Sequence, residues 1–318
     1  MPKMPIPSPQ AADGRVVVVG SLNLDYVTQV EALPLPGEIV PATRLCRFRG
    51  GKGANQAIAA ARQGSAVSLV GAVGIDEAGI AYLRTLEAEG IDISFIRTAP
   101  GETGSAFITV DREGENTIVI APGANGELRR TDVARASAII EAADILLGQF
   151  EIPSAPLVEA AHLANQFGVP VVINPSPFHP TFPWEEIRTD FLIVNETEVV
   201  EWLGAFLSPS AIREIAGRLA EMRAGHIIVT RGSEPTWVVS RTGEHWEVPV
   251  LPVLPIDTVG AGDAFAGCFA ARIARGESML SAVRAANCAG ALTTLGAGAQ
   301  GPIPDRDQVD RHAECLAP

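Results

Sequence analysis

Two glycine-rich segments hold the residues best suited to chemistry. The run Asp257-Thr258-Val259-Gly260-Ala261-Gly262-Asp263 leads straight into Ala264-Phe265-Ala266-Gly267-Cys268-Phe269-Ala270-Ala271, whose composition predicts a buried helix. Gly260, Ala261 and Gly262 have almost no side-chain bulk, so backbone N–H groups at the helix start can close on an anion. Phosphoryl transfer needs such a cradle, because fixed backbone dipoles stabilise the charge spread over the equatorial oxygens. Asp263, in the first turn, would face the same point and accept the proton of an attacking hydroxyl. A helix start that Asp263 merely caps fits the same residues.

The second segment, Gly50-Gly51-Lys52-Gly53-Ala54-Asn55, opens the first long helical pattern. It is not a Walker A loop, since Lys52 is followed by glycine and no glycine stands at the upstream spacing. Gly51 and Gly53 permit close approach of a ligand, while Lys52 and Asn55 supply donors suited to hydroxyls. Gly20-Ser21-Leu22-Asn23-Leu24-Asp25 follows the first strand pattern. In an extended segment Asn23 and Asp25 point the same way and can grip adjacent hydroxyls of one polyol; ordinary surface-turn residues are the other reading.

Other chemistries lose their footing. Gly296-Ala297-Gly298-Ala299-Gln300-Gly301 has the form GxGxxG but follows a helical pattern and runs into Pro302, so a dinucleotide loop fails its context. The five histidines lack metal-ligand spacing, and no Gly-x-Ser-x-Gly elbow exists.

Strand patterns at 16–19, 67–70, 145–147, 169–173, 191–194 and 226–230 alternate with helical patterns at 54–62, 77–89, 131–141, 155–167 and 210–223. Such alternation predicts a parallel sheet covered on both faces, with ligands at the carboxyl ends of its strands. Two segments break the rhythm. Residues 26–48 and 103–120 read as short extended stretches, together a small antiparallel sheet projecting from the main domain; ordinary surface hairpins fit equally.

Of 318 residues 47% are hydrophobic and 19% charged, enough to bury a large core and too apolar for disorder. A net charge of −13 without any basic patch argues against a nucleic-acid partner. No apolar run reaches membrane-spanning length, and residues 1–14 read as a loose tail rather than a signal peptide. Cys46, Cys268, Cys288 and Cys315 are scattered and read as reduced thiols, which predicts a cytoplasmic protein.

Taken in order, these motifs resemble the PfkB, or ribokinase-like, family of carbohydrate kinases. The likeness runs from Val16 to Pro304 and adds Gly114-Glu115-Asn116, Gly123-Ala124-Asn125 and Asn195-Glu196-Thr197-Glu198 to the segments above. It implies a three-layer α/β/α domain over 15–318 with a mostly parallel central sheet, plus a β-sheet lid formed by about 26–48 and 103–120. It assigns Asn23, Asp25, Gly51, Lys52, Gly53, Asn55 and Glu151 to the sugar. Asp263 becomes the base, and Gly260, Ala261 and Gly262 the anion hole.

The resemblance also implies ATP as phosphoryl donor. Asn195 and Glu198 would organise Mg²⁺ and phosphate through water. Thr230, Arg231, Gly232, Ser233, Gly262 and Asn287 would line the nucleotide site, with Arg231 either touching phosphate or facing solvent. K⁺ would sit among Asp257 and carbonyls of Val259, Thr293, Gly296 and Gly298, although Pro302 stands where the family uses a serine ligand. Arg49, directly before the paired glycines, is a second departure.

The expected reaction is transfer of the ATP γ-phosphoryl to ribose, giving ribose 5-phosphate. The rivals are a nucleoside, fructose or deoxyribose kinase, with Tyr26, Phe48 and Phe107 available to stack on a base, and a non-catalytic sugar sensor. Open lid edges imply a homodimer.

Overall fold

The computed structural model describes residues 14–203 and 211–316, so the expected N-terminal tail lies almost wholly outside the described residues. In chain order come β1 (Arg15–Val19), β2 (Asn23–Gln29), β3 (Arg44–Gly50), α1 (Lys52–Arg62), β4 (Ala66–Gly74), α2 (Glu77–Ala88) and β5 (Ile96–Ala99). Next are β6 (Gly104–Val110), β7 (Asn116–Ala121), α3 (Arg130–Ala134), α4 (Ser137–Glu141), β8 (Ile145–Gln149), α5 (Ser154–Phe167) and β9 (Val171–Asn174). The chain continues through β10 (Thr189–Asn195), α6 (Glu196–Leu203), α7 (Ile212–Glu221), β11 (Ala224–Arg231), β12 (Glu234–Ser240) and β13 (His245–Val248). It closes with α8 (Ala261–Ala274), α9 (Met279–Thr293) and α10 (Arg306–Ala313).

Nine strands make the large sheet in the order β13-β12-β11-β10-β9-β8-β1-β4-β5. β1 lies between β4 and β8, parallel to both, and its Val16–Val19 run is buried because helices cover the two faces. One apolar cluster joins the sheet to α5 and α7, the other to α1, α8 and α9. The fold is the expected three-layer α/β one. Cys268 and Cys288 are buried free thiols in the second cluster. No helix among the described residues is long and apolar enough to cross a membrane.

Four local expectations need correction. β12 extends the sheet antiparallel to β11 through a turn at Gly232, whose φ is 60°, and β13 follows antiparallel to β12; neither fits an alternation of strands and helices, because no crossover helix intervenes. The helix expected over 131–141 is two short ones, since Ala136 N–H bonds back three residues to the Val133 carbonyl and tightens the turn between them. The helix expected at 210–223 spans 212–221, with Ser210 outside the described residues.

The fourth correction concerns the small sheet, whose order is β3-β2-β6-β7. Its central pair, β2 with β6, is parallel rather than antiparallel, because both strands leave the main domain from the same side. Its roots are Asn23, Gly50 and Gly104, which lie in register with one another. The sheet therefore starts at Asn23, three residues before the expected boundary, and Asn23 and Asp25 belong to it.

Candidate active site

Asp263 lies in the first turn of α8, behind Gly260, whose φ of 80° and close approach to Ala299 admit no side chain. The residue is 7% exposed, and its carboxylate is held on both oxygens. Asn55 Nδ2 donates to Oδ2 at 2.9 Å, and Gln56 Nε2 donates to Oδ1 at 3.0 Å. Lys52 Nζ stands 3.9 Å from Oδ1. These partners come from α1, which α8 crosses closely at Gly267. First-turn N–H groups have no carbonyl one turn back, so Gly262 and Asp263 present donors along the helix axis. The Ala261 N–H leans on the Thr258 carbonyl at 3.3 Å.

A polar cluster sits beside this carboxylate at the carboxyl end of β1. Glu151 Oε2 accepts from Ser21 Oγ at 2.5 Å, from Lys52 N–H at 3.0 Å and from Asn23 Nδ2 at 3.3 Å. Asn125 accepts the Leu22 N–H and donates to the Leu22 carbonyl and to Asn23 Oδ1. These bonds fix Asn23 at the root of the small sheet. Asp25, two residues on along β2, turns to the same side.

Burial, with Glu151 and Asp263 nearby, pushes the Asp25 carboxyl up to about 7. Lys52 shows the opposite balance. Burial disfavours its charge, yet Asp263, Glu151 and Glu198 outweigh that and raise its pKa, so the ammonium persists. Three carboxyl groups and one ammonium gathered in one polar cluster suit a ligand rich in hydroxyls.

At the start of α8 a cavity of about 560 Å³ opens, lined by Gly262, next to Asp263, and by Thr230, Gly232 and Ser233 together with apolar Pro252 and Phe265. Asn287 reaches it from α9, but its amide donates to the Val248 and Pro249 carbonyls and its Oδ1 accepts from Thr236. Asn287 thus anchors the loop that walls the cavity. Arg231 lies over the Trp237 ring, 5.0 Å from its centroid, and 3.8 Å from Glu196. Asn195 and Glu198 cap one another's N–H at the start of α6, at 2.9 and 2.8 Å.

Comparison with known proteins decides the family. The model for "pfkB family carbohydrate kinase" matches residues 13–306. The chain belongs to that family.

Among its relatives is the ribokinase of Bacillus subtilis, 34% identical over 93% of this chain and 98% of the relative. The structure of Giardia lamblia ribokinase superposes with a TM-score of 0.89 at 28% identity, covering 96% of this chain and 100% of the other. Arabidopsis thaliana ribokinase complexed with ribose and ATP superposes with a TM-score of 0.86 at 28% identity, over 95% and 99% of the two chains.

In this pfkB-family kinase several site residues went unread in the chain: Gln56, Asn125, Gln149, Asn174, Tyr82 and Gln300. Asn125 lay in a motif with no role attached, and the apolar run Val250-Leu251-Pro252-Val253 beside the cavity carried a usable signal. The others are amides and a phenol that act only through partners distant in sequence. Tyr26 and Phe107 stack on each other, ring centroids 5.3 Å apart, on the face of the small sheet away from Asp25. Only Phe48 of the three aromatics shares Asp25's face, and its ring lies against Gly298.

Asp257 bridges two loops of this kinase, accepting from Val259 N–H at 3.0 Å and Gly298 N–H at 2.8 Å. The carbonyls of Val259, Gly296 and Gly298 belong to the same two loops, and Thr293 ends α9 just before the second. Pro302 packs against Gly296, where a Cβ would come within 2.7 Å of its ring, and it offers no hydroxyl. Carboxylate and carbonyl oxygens are the donor type a hard cation takes. Among the described residues no group of three or more His, Cys, Asp or Glu is placed to hold a metal. Mg²⁺ usually keeps several waters and binds through one or two carboxylates plus substrate phosphates, a demand that Glu198 at the start of α6 would fit.

Proposed function

We propose that this chain transfers the γ-phosphoryl group of ATP to the primary hydroxyl of D-ribose, giving D-ribose 5-phosphate and ADP. The observation that carries the reading is the place of the Asp263 carboxylate. It stands in the first turn of α8, held by Asn55 and Gln56 beside the polar cluster around Glu151, with its neighbour Gly262 lining the 560 Å³ cavity. The likeness to ribokinases, one of them complexed with ribose and ATP, supports the same substrate pair.

Asp25, Asn23, Lys52, Asn55 and Glu151 bind the sugar hydroxyls, with the backbone of Gly51 and Gly53 drawn close. The ribose oxygen attacks the γ-phosphorus, the bond to the ADP oxygen breaks, and the hydroxyl proton passes to Asp263. The α8 N–H groups hold the charge on the transferring group. Thr230, Gly232 and Ser233 border the nucleotide, with Arg231 beside them over Trp237. Glu198, with Asn195 beside it, would hold Mg²⁺ through water, and the ion would supply charge neutralisation at the phosphates; Asp257 and the carbonyls near it would hold K⁺.

The small sheet acts as the lid. Its outer face carries Phe107, Val119 and Leu45, at least half exposed, and its edge strand β7 is exposed throughout. Such a surface favours pairing, so the working unit is a homodimer joined through the lid, in the cytoplasm.

ADP release measured with MgATP across ribose, deoxyribose, fructose, adenosine and cytidine tests the substrate. The highest kcat/KM belongs to ribose. A higher value for any other acceptor overturns the ribose reading and keeps the family.

A further inference from the structure

We infer that Gln300 and Tyr82 are positioning residues that lock the amide of Asn55 in the orientation Asp263 needs and tie that orientation to the root of the small sheet. The inference rests on Asp263 as the base. Gln300 Nε2 donates one hydrogen to Asn55 Oδ1 at 2.9 Å and the other to the Tyr82 hydroxyl at 2.6 Å. Tyr82, fully buried on α2, passes its own hydrogen to the Gly50 carbonyl at the end of β3. Burial holds that hydroxyl protonated far into the alkaline range.

The polarity of the chain allows only one arrangement. A primary amide can turn over and exchange its oxygen and nitrogen, because the two ends have nearly the same shape. With both Gln300 hydrogens committed, Asn55 must keep its oxygen toward Gln300 and its nitrogen toward Asp263 Oδ2. Without Gln300, only the carboxylate's own charge opposes the flipped Asn55, which presents a carbonyl to it. That contact is repulsive to the ionised form and removes a donor from it.

The second carboxylate oxygen has a parallel arrangement. Gln149 Nε2 donates to Gln56 Oε1 at 2.7 Å, which aims Gln56 Nε2 at Asp263 Oδ1. Asn174 Oδ1 accepts from the same nitrogen at 3.1 Å while its own amide is fixed on the Ile193 carbonyl. The Gln149 branch lies wholly within the buried core. The Gln300 branch alone ends on the small sheet, and Phe48, also in β3, rests on Gly298 two residues before Gln300.

α2 holds the small sheet at a second root as well. Its N-cap Asp76 accepts the Thr103 N–H at 2.8 Å and the Thr103 hydroxyl at 2.7 Å, just before β6. A displacement of the small sheet therefore pulls on Gly50 and is felt at Asn55. The charged groups facing Asp263 are Lys52 at 3.9 Å and, further off, Asp25.

Gln300→Met and Gln300→Glu, both close to glutamine in volume, test the lock. Neither can donate to Asn55 Oδ1, and the new carboxylate of the second actively draws the Asn55 nitrogen away from Asp263. The expected result is a kcat roughly ten-fold or more lower, an unchanged KM for ATP, and a fall of kcat toward acid pH that begins at higher pH than in the parent. Tyr82→Phe shifts the profile the same way by a smaller amount. A wild-type kcat profile in both Gln300 variants overturns the lock, as does a loss of melting temperature with no change in that profile. Asp263→Asn separates the two claims: if it keeps turnover, the base assignment fails whatever the Gln300 variants do, whereas its inactivity beside an unaltered Gln300→Met profile refutes the lock alone.

Discussion

Gly267 sits where any Cβ would come within 2.2 Å of the Gln56 carbonyl oxygen and 2.6 Å of the Ala59 Cβ. It is one turn past Asp263 on α8, and Gln56 is one of the two amides that hold the Asp263 carboxylate. The missing side chain sets how near α8 comes to α1, and that distance lets α1 amides reach the base.

Gly267→Ala therefore has two effects. Separating the two helices costs about 1–3 kcal/mol of stability, visible in a denaturant titration. It also lengthens the bonds from Asn55 and Gln56 to Asp263, so kcat falls while the KM for ATP holds. Unchanged stability and kcat would show that α8 and α1 can part without consequence.

Asp25 predicts a pH effect with a definite sign. Its carboxyl is raised from 3.8 to about 7 in the fold, so the folded state favours the proton more than the unfolded chain does. The stability it contributes is full below pH 3.8, is lost as pH rises toward about 7, and levels off above. The slope has a ceiling of about 1.4 kcal/mol per pH unit. Asp25→Asn removes that decline in sugar-free protein, as unfolding curves from pH 4 to 8 will show. The sugar responds the opposite way: the carboxylate is the better acceptor of hydroxyl hydrogens, so the parent's KM for ribose falls as pH rises through 7, and that of Asp25→Asn stays high and flat.

Asn125 supports the same polar cluster through Leu22 and Asn23. Its side chain makes two bonds to the Leu22 backbone and one to Asn23. Asn125→Ala leaves these buried groups unpaired, at about 2–3 kcal/mol. The expected kinetic signature is a raised KM for ribose beside a nearly unchanged KM for ATP. Equal changes in both would place Asn125's effect on the whole fold rather than on Asn23.

What could be read from the chain, and what could not, divides by the range of the interactions. Small residues before a helix, as at Gly260 to Gly262, are a local pattern with a local meaning, and so are the Val16–Val19 run and the alternation that predicts a covered parallel sheet. The direction of β2 relative to β6 depends on where both strands leave the core, which no local pattern encodes. Trp237-Val238-Val239 lies in a good strand sequence, yet without a helix before β12 it does not fit a βα rhythm. Gln149 and Gln300 are ordinary amides until the fold brings Gln56 and Asn55 to them.

The most direct test of the account is turnover of Asp263→Asn with ribose and MgATP, measured beside ribose binding by calorimetry. The account predicts a kcat lower by about 10²–10⁴ with ribose affinity within a few-fold of the parent's, because Asn23, Lys52, Asn55 and Glu151 remain. A kcat within ten-fold of the parent's would contradict it, since a proton acceptor other than Asp263 would then carry the reaction.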